Sequence, residues 1–339
     1  MYSYELKKPK FLNLGISALM LYDRVAIRSE QVMFTSTELY KFLNPLIRKI
    51  VVLIKVLGGY MRKKTKRIIL LIATLVGFSI FLYLQNNLIS ITEVKITSSK
   101  IPTSFKGYKI LQISDLHNKQ FGDNQEILVQ KVKSIEPDII AITGDLIDSS
   151  SYDAEVSMKV IRKLVQKYQV YFVTGNHEKL SGEYNSLEKE LKKNNVNVLR
   201  NEHVSIQKGV HQINLLGIDD PEFVTGKRDE RNIVKDEIIK AKSEMQPTYN
   251  VLLSHRPEFL TEYADEQIDL VLSGHAHGGQ VRLPFIGGIV APNQGIFPKY
   301  TAGLYEKQNT SMVVSRGLGN SIIPQRIFNR PELVVVQLN

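Results

Sequence analysis

The chain contains no cysteine, which excludes disulfides and every metal site built on thiolate. A fold that needs no disulfide suits either side of a membrane. There is no internal repeat, no low-complexity tract and no glycine-rich phosphate-cradling loop of the P-loop type. Most of the chain also lacks a surplus of charge. The 339 residues carry a net +10, but residues 1–67 hold 14 Lys and Arg against 4 Asp and Glu, leaving 30 of each sign for residues 68–339. The basicity belongs to the amino-terminal segment, so no nucleic-acid-binding face is expected on the remainder.

Charge is missing altogether between Ile68 and Thr92. The run IILLIATLVGFSIFLYL opens this stretch, and roughly 20 apolar residues suffice for a helix to cross a bilayer, so residues 68–90 are expected to form a transmembrane anchor. A signal peptide shares the basic and apolar regions. However, Leu84-Gln85-Asn86-Asn87 offers no small residues for cleavage, which favours an uncleaved anchor. Arg62, Lys63, Lys64, Lys66 and Arg67 flank the amino-terminal side. The positive-inside tendency puts that side in the cytoplasm and the following domain outside it, in a single-pass cell-membrane protein. Residues 1–67 form a basic extension. Within it, Phe42–Leu57 reads either as a basic amphipathic helix on an anionic membrane surface or as a poorly ordered segment. Met61 opens MRKKTKR directly before the apolar run and is an alternative point for translation to begin.

From Glu93 onward the pattern is of alternating strands and helices. Strands are expected at 94–97, 110–113, 139–143 and 170–174, with helices at 123–134, 154–166 and 186–193. The second half supplies further strands at 204–207, 213–218, 249–254, 269–273, 280–283, 312–315 and 333–338, without intervening helices. Residues 93–339 are therefore expected to form one α/β domain.

The polar residues with chemical potential all stand at the ends of these strands. Asp115 and His117 follow the strand at 110, Asp145 the one at 139, and Asn176 and His177 the one at 170. His255 follows the strand at 249, and His275 and His277 the strand at 269. Carboxyl ends of neighbouring parallel strands share one rim, so these side chains can converge. Five of the seven histidines fall in these turns, leaving His203 and His211 as ordinary residues. Carboxylate, imidazole and amide oxygen suit divalent Mn, Fe, Zn or Co. Seven candidate ligands, Asp115, His117, Asp145, Asn176, His255, His275 and His277, are enough for two such ions with positions open to water and substrate. Arg256 reads equally as a phosphate contact or as half of a surface ion pair, and Arg316 likewise. Asp219–Arg231 reads as a charged, solvated loop in preference to a lid over the site.

In their order, SDLH, GDLID, GNHE, SHRPE and GHAH resemble the signature blocks of the calcineurin-like metallophosphoesterases, over residues 93–339. GHAHGGQ at 274–280, SRGLGNS at 315–321 and NRPEL at 329–333 make the resemblance closest to the bacterial membrane-associated branch. The resemblance implies a four-layer αββα sandwich of two mixed sheets, here preceded by one transmembrane helix. It also implies that Asp115, His117, Asp145 and His277 hold one metal, and Asp145, Asn176, His255 and His275 the other, with Asp145 bridging. His177 would be the catalytic histidine. Many members have Asp where Glu178 stands, where it orients that histidine, so the longer side chain leaves this role open. The implied activity is metal-dependent hydrolysis of a phosphoester or pyrophosphate, with a lipid- or nucleotide-linked pyrophosphate such as UDP-diacylglucosamine as the alternative substrate. A non-catalytic binding module on the same fold would be expected to have lost ligands, and none is missing.

Overall fold

The computed structural model describes residues 62–339 except 227 and 322. The Phe42–Leu57 segment and Met61 lie outside the described residues. The first element, α1 (Lys63–Asn87), is a 25-residue helix with no fully buried residue, partly covered only near its carboxyl end, and is long and apolar enough to cross a membrane. Two residues later β1 (Ser90–Ile96) begins, followed by β2 (Lys109–Ile113), α2 (Glu126–Ile135), β3 (Ile139–Thr143), α3 (Ala154–Leu164) and β4 (Gln169–Val173). Next come the short α4 (Asn176–Leu180), α5 (Tyr184–Lys193), β5 (Asn197–Val198), β6 (Glu202–Lys208) and β7 (His211–Gly217). The rest comprises α6 (Glu230–Ala241), β8 (Tyr249–Leu253), α7 (Leu260–Asp265), β9 (Leu270–Ser273), two small hairpins, β14 (Gly303–Lys307), β15 (Thr310–Val314) and β16 (Glu332–Leu338). The hairpins are β10 (Arg282–Leu283) with β11 (Gly287–Gly288), and β12 (Val290–Ala291) with β13 (Gly295–Ile296).

Two six-stranded sheets result, in the orders β1-β16-β2-β3-β4-β5 and β14-β15-β9-β8-β7-β6. Both are mixed: β16 runs parallel to β1 and antiparallel to β2, and β2, β3 and β4 are mutually parallel. Alternation along each strand sorts the core into layers. Ile110, Ala141, Val251, Leu272 and Val336 fill the space between the sheets. Their neighbours Leu111, Ile140 and Phe172 meet Leu128, Ile161 and Leu187 on the outer helices of the first sheet. On the second sheet Leu252, Val271 and Met312 meet Val234, Ile238 and Tyr263 of α6 and α7. This is the αββα sandwich.

Two helices in the second half depart from expectation. The segment read as a charged loop contains a turn at Pro221–Phe223, with Asp219 and Asp220 buried, and runs into α6. In ERNIVKDEIIKA only Ile233, Val234, Ile238 and Ala241 supply apolar burial, a stripe too narrow to stand out against the charged residues around it. Asp229 caps this helix through its carboxylate, which accepts from the Arg231 N–H. The expected strand at 280–283 shrinks to two residues, and β14 has no counterpart in the sequence reading.

Candidate metal site

The carboxyl ends of β2, β3 and β4 from one sheet and of β8 and β9 from the other meet at one rim, and all eight predicted site residues lie there. The turns are stitched together by backbone: Asp115 N–H donates to Gly144 O (3.1 Å), His117 N–H to Asp145 O (3.1 Å) and Gly274 N–H to His255 O (3.0 Å). Asp115, His117, Asp145, His275 and His277 all adopt positive φ, between 47° and 65°. Such conformations are uncommon outside glycine, and five of the seven candidate ligands share them. Gly274 serves close approach: a Cβ there would land on Ser114 Oγ and Asp115 Oδ2.

The side chains fall into overlapping groups. Asp115, His117, Asp145 and His277 bring ligand atoms within 4.8 Å of one another, and so do Asp145, His255 and His275. Asp145 belongs to both. Its Oδ1 accepts from the His177 N–H (2.9 Å), while its Oδ2 lies 3.5 Å from His117 Nε2 and 3.1 Å from His255 Nε2. One oxygen thus faces both groups. A third group joins His117 to His177 and Asp148.

Several observations fit a bound cation. Asn176 Oδ1 is buried without a hydrogen-bond partner. His117 and His277 point their Nε2 atoms at each other, 3.1 Å apart. Burial, the largest effect on each, lowers His117 to about 4 and holds His277 and His275 well below the usual imidazole range, so all three keep lone pairs for a metal. The far ring nitrogens of the other group are fixed by neighbours, as in metal-binding histidines. His255 Nδ1 donates to Thr143 O (2.8 Å), and His275 Nε2 donates to Asn293 Oδ1 (3.1 Å), leaving Nε2 and Nδ1 respectively toward the cluster. Burial raises Asp115 to about 6. Burial also works against charge on Asp145 and His255, but their pairing prevails, holding the carboxyl well below its usual range and raising the imidazole to about 10.

His177 has a different setting. Its Nδ1 accepts from the Ser149 backbone N–H at 3.0 Å, so in the neutral ring the proton sits on Nε2. Its ring stands edge-on to His117, with centroids 4.4 Å apart. Glu178 does not hold this imidazole. Its carboxylate accepts from the N–H groups of Asp145 (2.9 Å), Leu146 (2.9 Å) and Gly175 (2.7 Å), clamping two ligand-bearing turns together. Burial and the neighbouring Asp145 push it up to about 7.

Both arginines are held in ion pairs with buried carboxylates. Arg256 is buried against Asp220 (2.7 and 2.9 Å), and Arg316 pairs with Glu332 (2.7 Å). The sequence reading passed over Asp148, Asn293 and Asn329. Asp148 and Asn329 lay within quoted motifs, but nothing in the sequence marked Asn293; the Asn329 amide donates to His277 O (2.7 Å) and Gln280 O (2.9 Å).

The profile of the family described as calcineurin-like phosphoesterase matches residues 108–279, about half of the chain. The chain is 31% identical over 269 residues to the Bacillus subtilis protein named uncharacterized metallophosphoesterase YkuE, covering 77% of this chain and 90% of that protein. It is 30% identical over 279 residues to uncharacterized metallophosphoesterase YkoQ of the same organism, covering 80% and 99%. A Bos taurus transmembrane protein with metallophosphoesterase domain is 31% identical over 255 residues, covering 72% of this chain and 56% of that one. With the ordered motifs, the double sheet and the buried Asp–His cluster, these similarities establish that the chain belongs to the calcineurin-like phosphoesterase family and is a metal-dependent phosphoric ester hydrolase.

Proposed function

We propose that the protein is a membrane-anchored phosphoesterase whose domain, residues 93–339, lies outside the cytoplasm and hydrolyses phosphoester or pyrophosphate bonds with two divalent cations. The observation that carries this reading is Asp145 Oδ2, which faces His117 on one side and His255 on the other. In this reading Asp115, His117, Asp145 and His277 hold one ion and Asp145, Asn176, His255 and His275 the second. When bound, such a pair supplies positive charge for phosphoryl oxygens and draws the pKa of a water toward neutrality.

The chain's own residues supply the rest. Asp145 is kept ionised by its imidazole neighbours, and Glu178 fixes the turn that aims it. His177 keeps its hydrogen on Nε2 and can donate a hydrogen bond from it to the oxygen on which charge builds as the ester bond breaks. The anchor is α1, oriented by the basic cluster at its amino-terminal end.

The test is Asp145→Asn, which keeps the shape and removes the shared charge. Hydrolysis is expected to be abolished and retention of both metals weakened, read by metal analysis of purified wild type and variant. Wild-type protein that holds less than one ion after supplementation would rule out the dimetal reading.

A further inference from the structure

Outside α1, seven of the thirteen exposed large apolar side chains among the described residues belong to two hairpins and the 323–328 segment, while Ile127, Tyr152, Leu180, Val210, Ile239 and Leu304 lie outside them. Phe285 (99% exposed) and Ile286 tip the β10–β11 hairpin, Ile296 (73%) and Phe297 (66%) close the β12–β13 hairpin, and Leu283 and Phe328 extend the surface. Backbone bonds make these segments one unit: Arg282 N–H donates to Ile327 O (3.0 Å), Ile289 N–H to Val281 O (2.9 Å) and Phe297 N–H to Ile289 O (2.8 Å). Single exposed apolar residues are normal on a soluble protein, whereas a gathered group marks a contact surface.

The end of α1 shows what covers it. The Phe81 ring lies 5.5 Å from Phe328, Gln325 Nε2 donates to Leu82 O (3.1 Å), Arg326 N–H donates to Asn86 Oδ1 (2.8 Å), and Asn86 Nδ2 donates to Pro324 O (3.0 Å). At 1.5 Å per residue, the uncharged part of α1 from Ile68 to Asn87 spans about 30 Å, the thickness of the hydrocarbon core, and Phe81 lies about 9 Å inside its carboxyl end. A bilayer threaded by α1 therefore reaches Phe328. Charge agrees with this placement. Between Asp269 and Glu332 the only acidic residue is Glu306; Arg326 is buried and Arg316 pairs with Glu332, while Lys299, two residues from Phe297, is exposed. Such a balance favours anionic headgroups.

We propose that the two hairpins and the 323–328 segment form a membrane-seating face, with Phe285, Ile286, Ile296 and Phe297 entering the headgroup–acyl boundary of the lipid bilayer beside α1. The proposal rests on reading α1 as an anchor. Its consequence is a candidate metal site held at the lipid surface, because the same block carries Asn293, bonded to His275, and Asn329, bonded to His277 O.

The absence of cysteine permits single-site labelling of the full chain. Phe285→Cys, Phe297→Cys, Leu75→Cys in α1 and Val210→Cys on the β6–β7 turn are each labelled with a polarity-sensitive fluorophore. The labelled proteins are reconstituted in vesicles of equal parts phosphatidylcholine and phosphatidylglycerol, with and without a lipid bearing a nitroxide high on its acyl chain. Loss of most emission at 285 and 297, with little loss at 210, is expected. Losses at 285 and 297 no greater than at 210 would overturn the proposal, and so would a blue-shifted label that lipid nitroxide does not quench, since another protein copy would then cover the face. Position 75 reports separately on the anchor. Quenching at 75 without quenching at 285 and 297 sinks the seating face alone, and quenching at 285 and 297 upholds that face even if 75 stays bright.

Discussion

At His177 a single backbone amide decides the chemistry. Because the Ser149 N–H occupies Nδ1, the neutral ring offers its Nε2–H as a hydrogen-bond donor to the charge that grows on a departing oxygen, which matters most when the leaving group is poor. His177→Ala is expected to retain most bound metal and to slow alkyl phosphoester hydrolysis far more than nitrophenyl ester hydrolysis, by up to about 10² to 10⁴-fold. Equal losses with both esters would make His177 a phosphate-positioning group instead. Glu237 illustrates the opposite use of a buried acid. Burial, with Asp219 and Asp220 nearby, raises its carboxyl from 4.5 to about 8. The folded protein therefore holds this proton more tightly than the unfolded chain does, and the stability so linked is lost as pH rises from 4.5 to 8. Glu237→Gln should raise the urea midpoint above pH 8 and leave it nearly unchanged below 4.5. The candidate ligands were legible in sequence because their residue types recur at strand ends. The setting of Glu178 was not, since its three partners lie on two different turns.

Among the elements, those read best from sequence are the buried strands, where short β-branched runs such as Ile139–Thr143, bounded by turn residues, favour an extended conformation. The small hairpins were beyond reach, because two-residue strands carry no period. So was α6, and with it the partner of Arg256. Asp220 begins the turn that leads toward α6, and Arg256 follows β8, so their buried pair ties the two connections together across the end of the second sheet. Asp220→Ala removes both hydrogen bonds to the buried guanidinium, leaving only the longer pairs to Glu222 (3.6 Å) and Glu258 (3.7 Å), and should cost up to about 3–5 kcal/mol in a denaturant titration. Replacing both residues with apolar ones should recover much of that loss, since the cost comes from the orphaned charge.

For the whole molecule, the orientation predicted from Arg62–Arg67 has a direct check: protease added to intact spheroplasts should digest the domain while cytoplasmic proteins survive, and digestion only after lysis would reverse it. The sequence announced a βαβαβ order and one apolar span, but it could not announce that β16 lies between β1 and β2, because strand partners so distant along the chain leave no local trace. That placement governs when the domain can exist. The first sheet has a gap at its second position until residues 332–338 have been synthesised, so β1, joined to α1, waits unpaired while everything between is made. Sheet closure is thus a late event in the life of each new chain. A polypeptide that stays open until its last strand arrives is in the right condition to be threaded through a membrane before it folds.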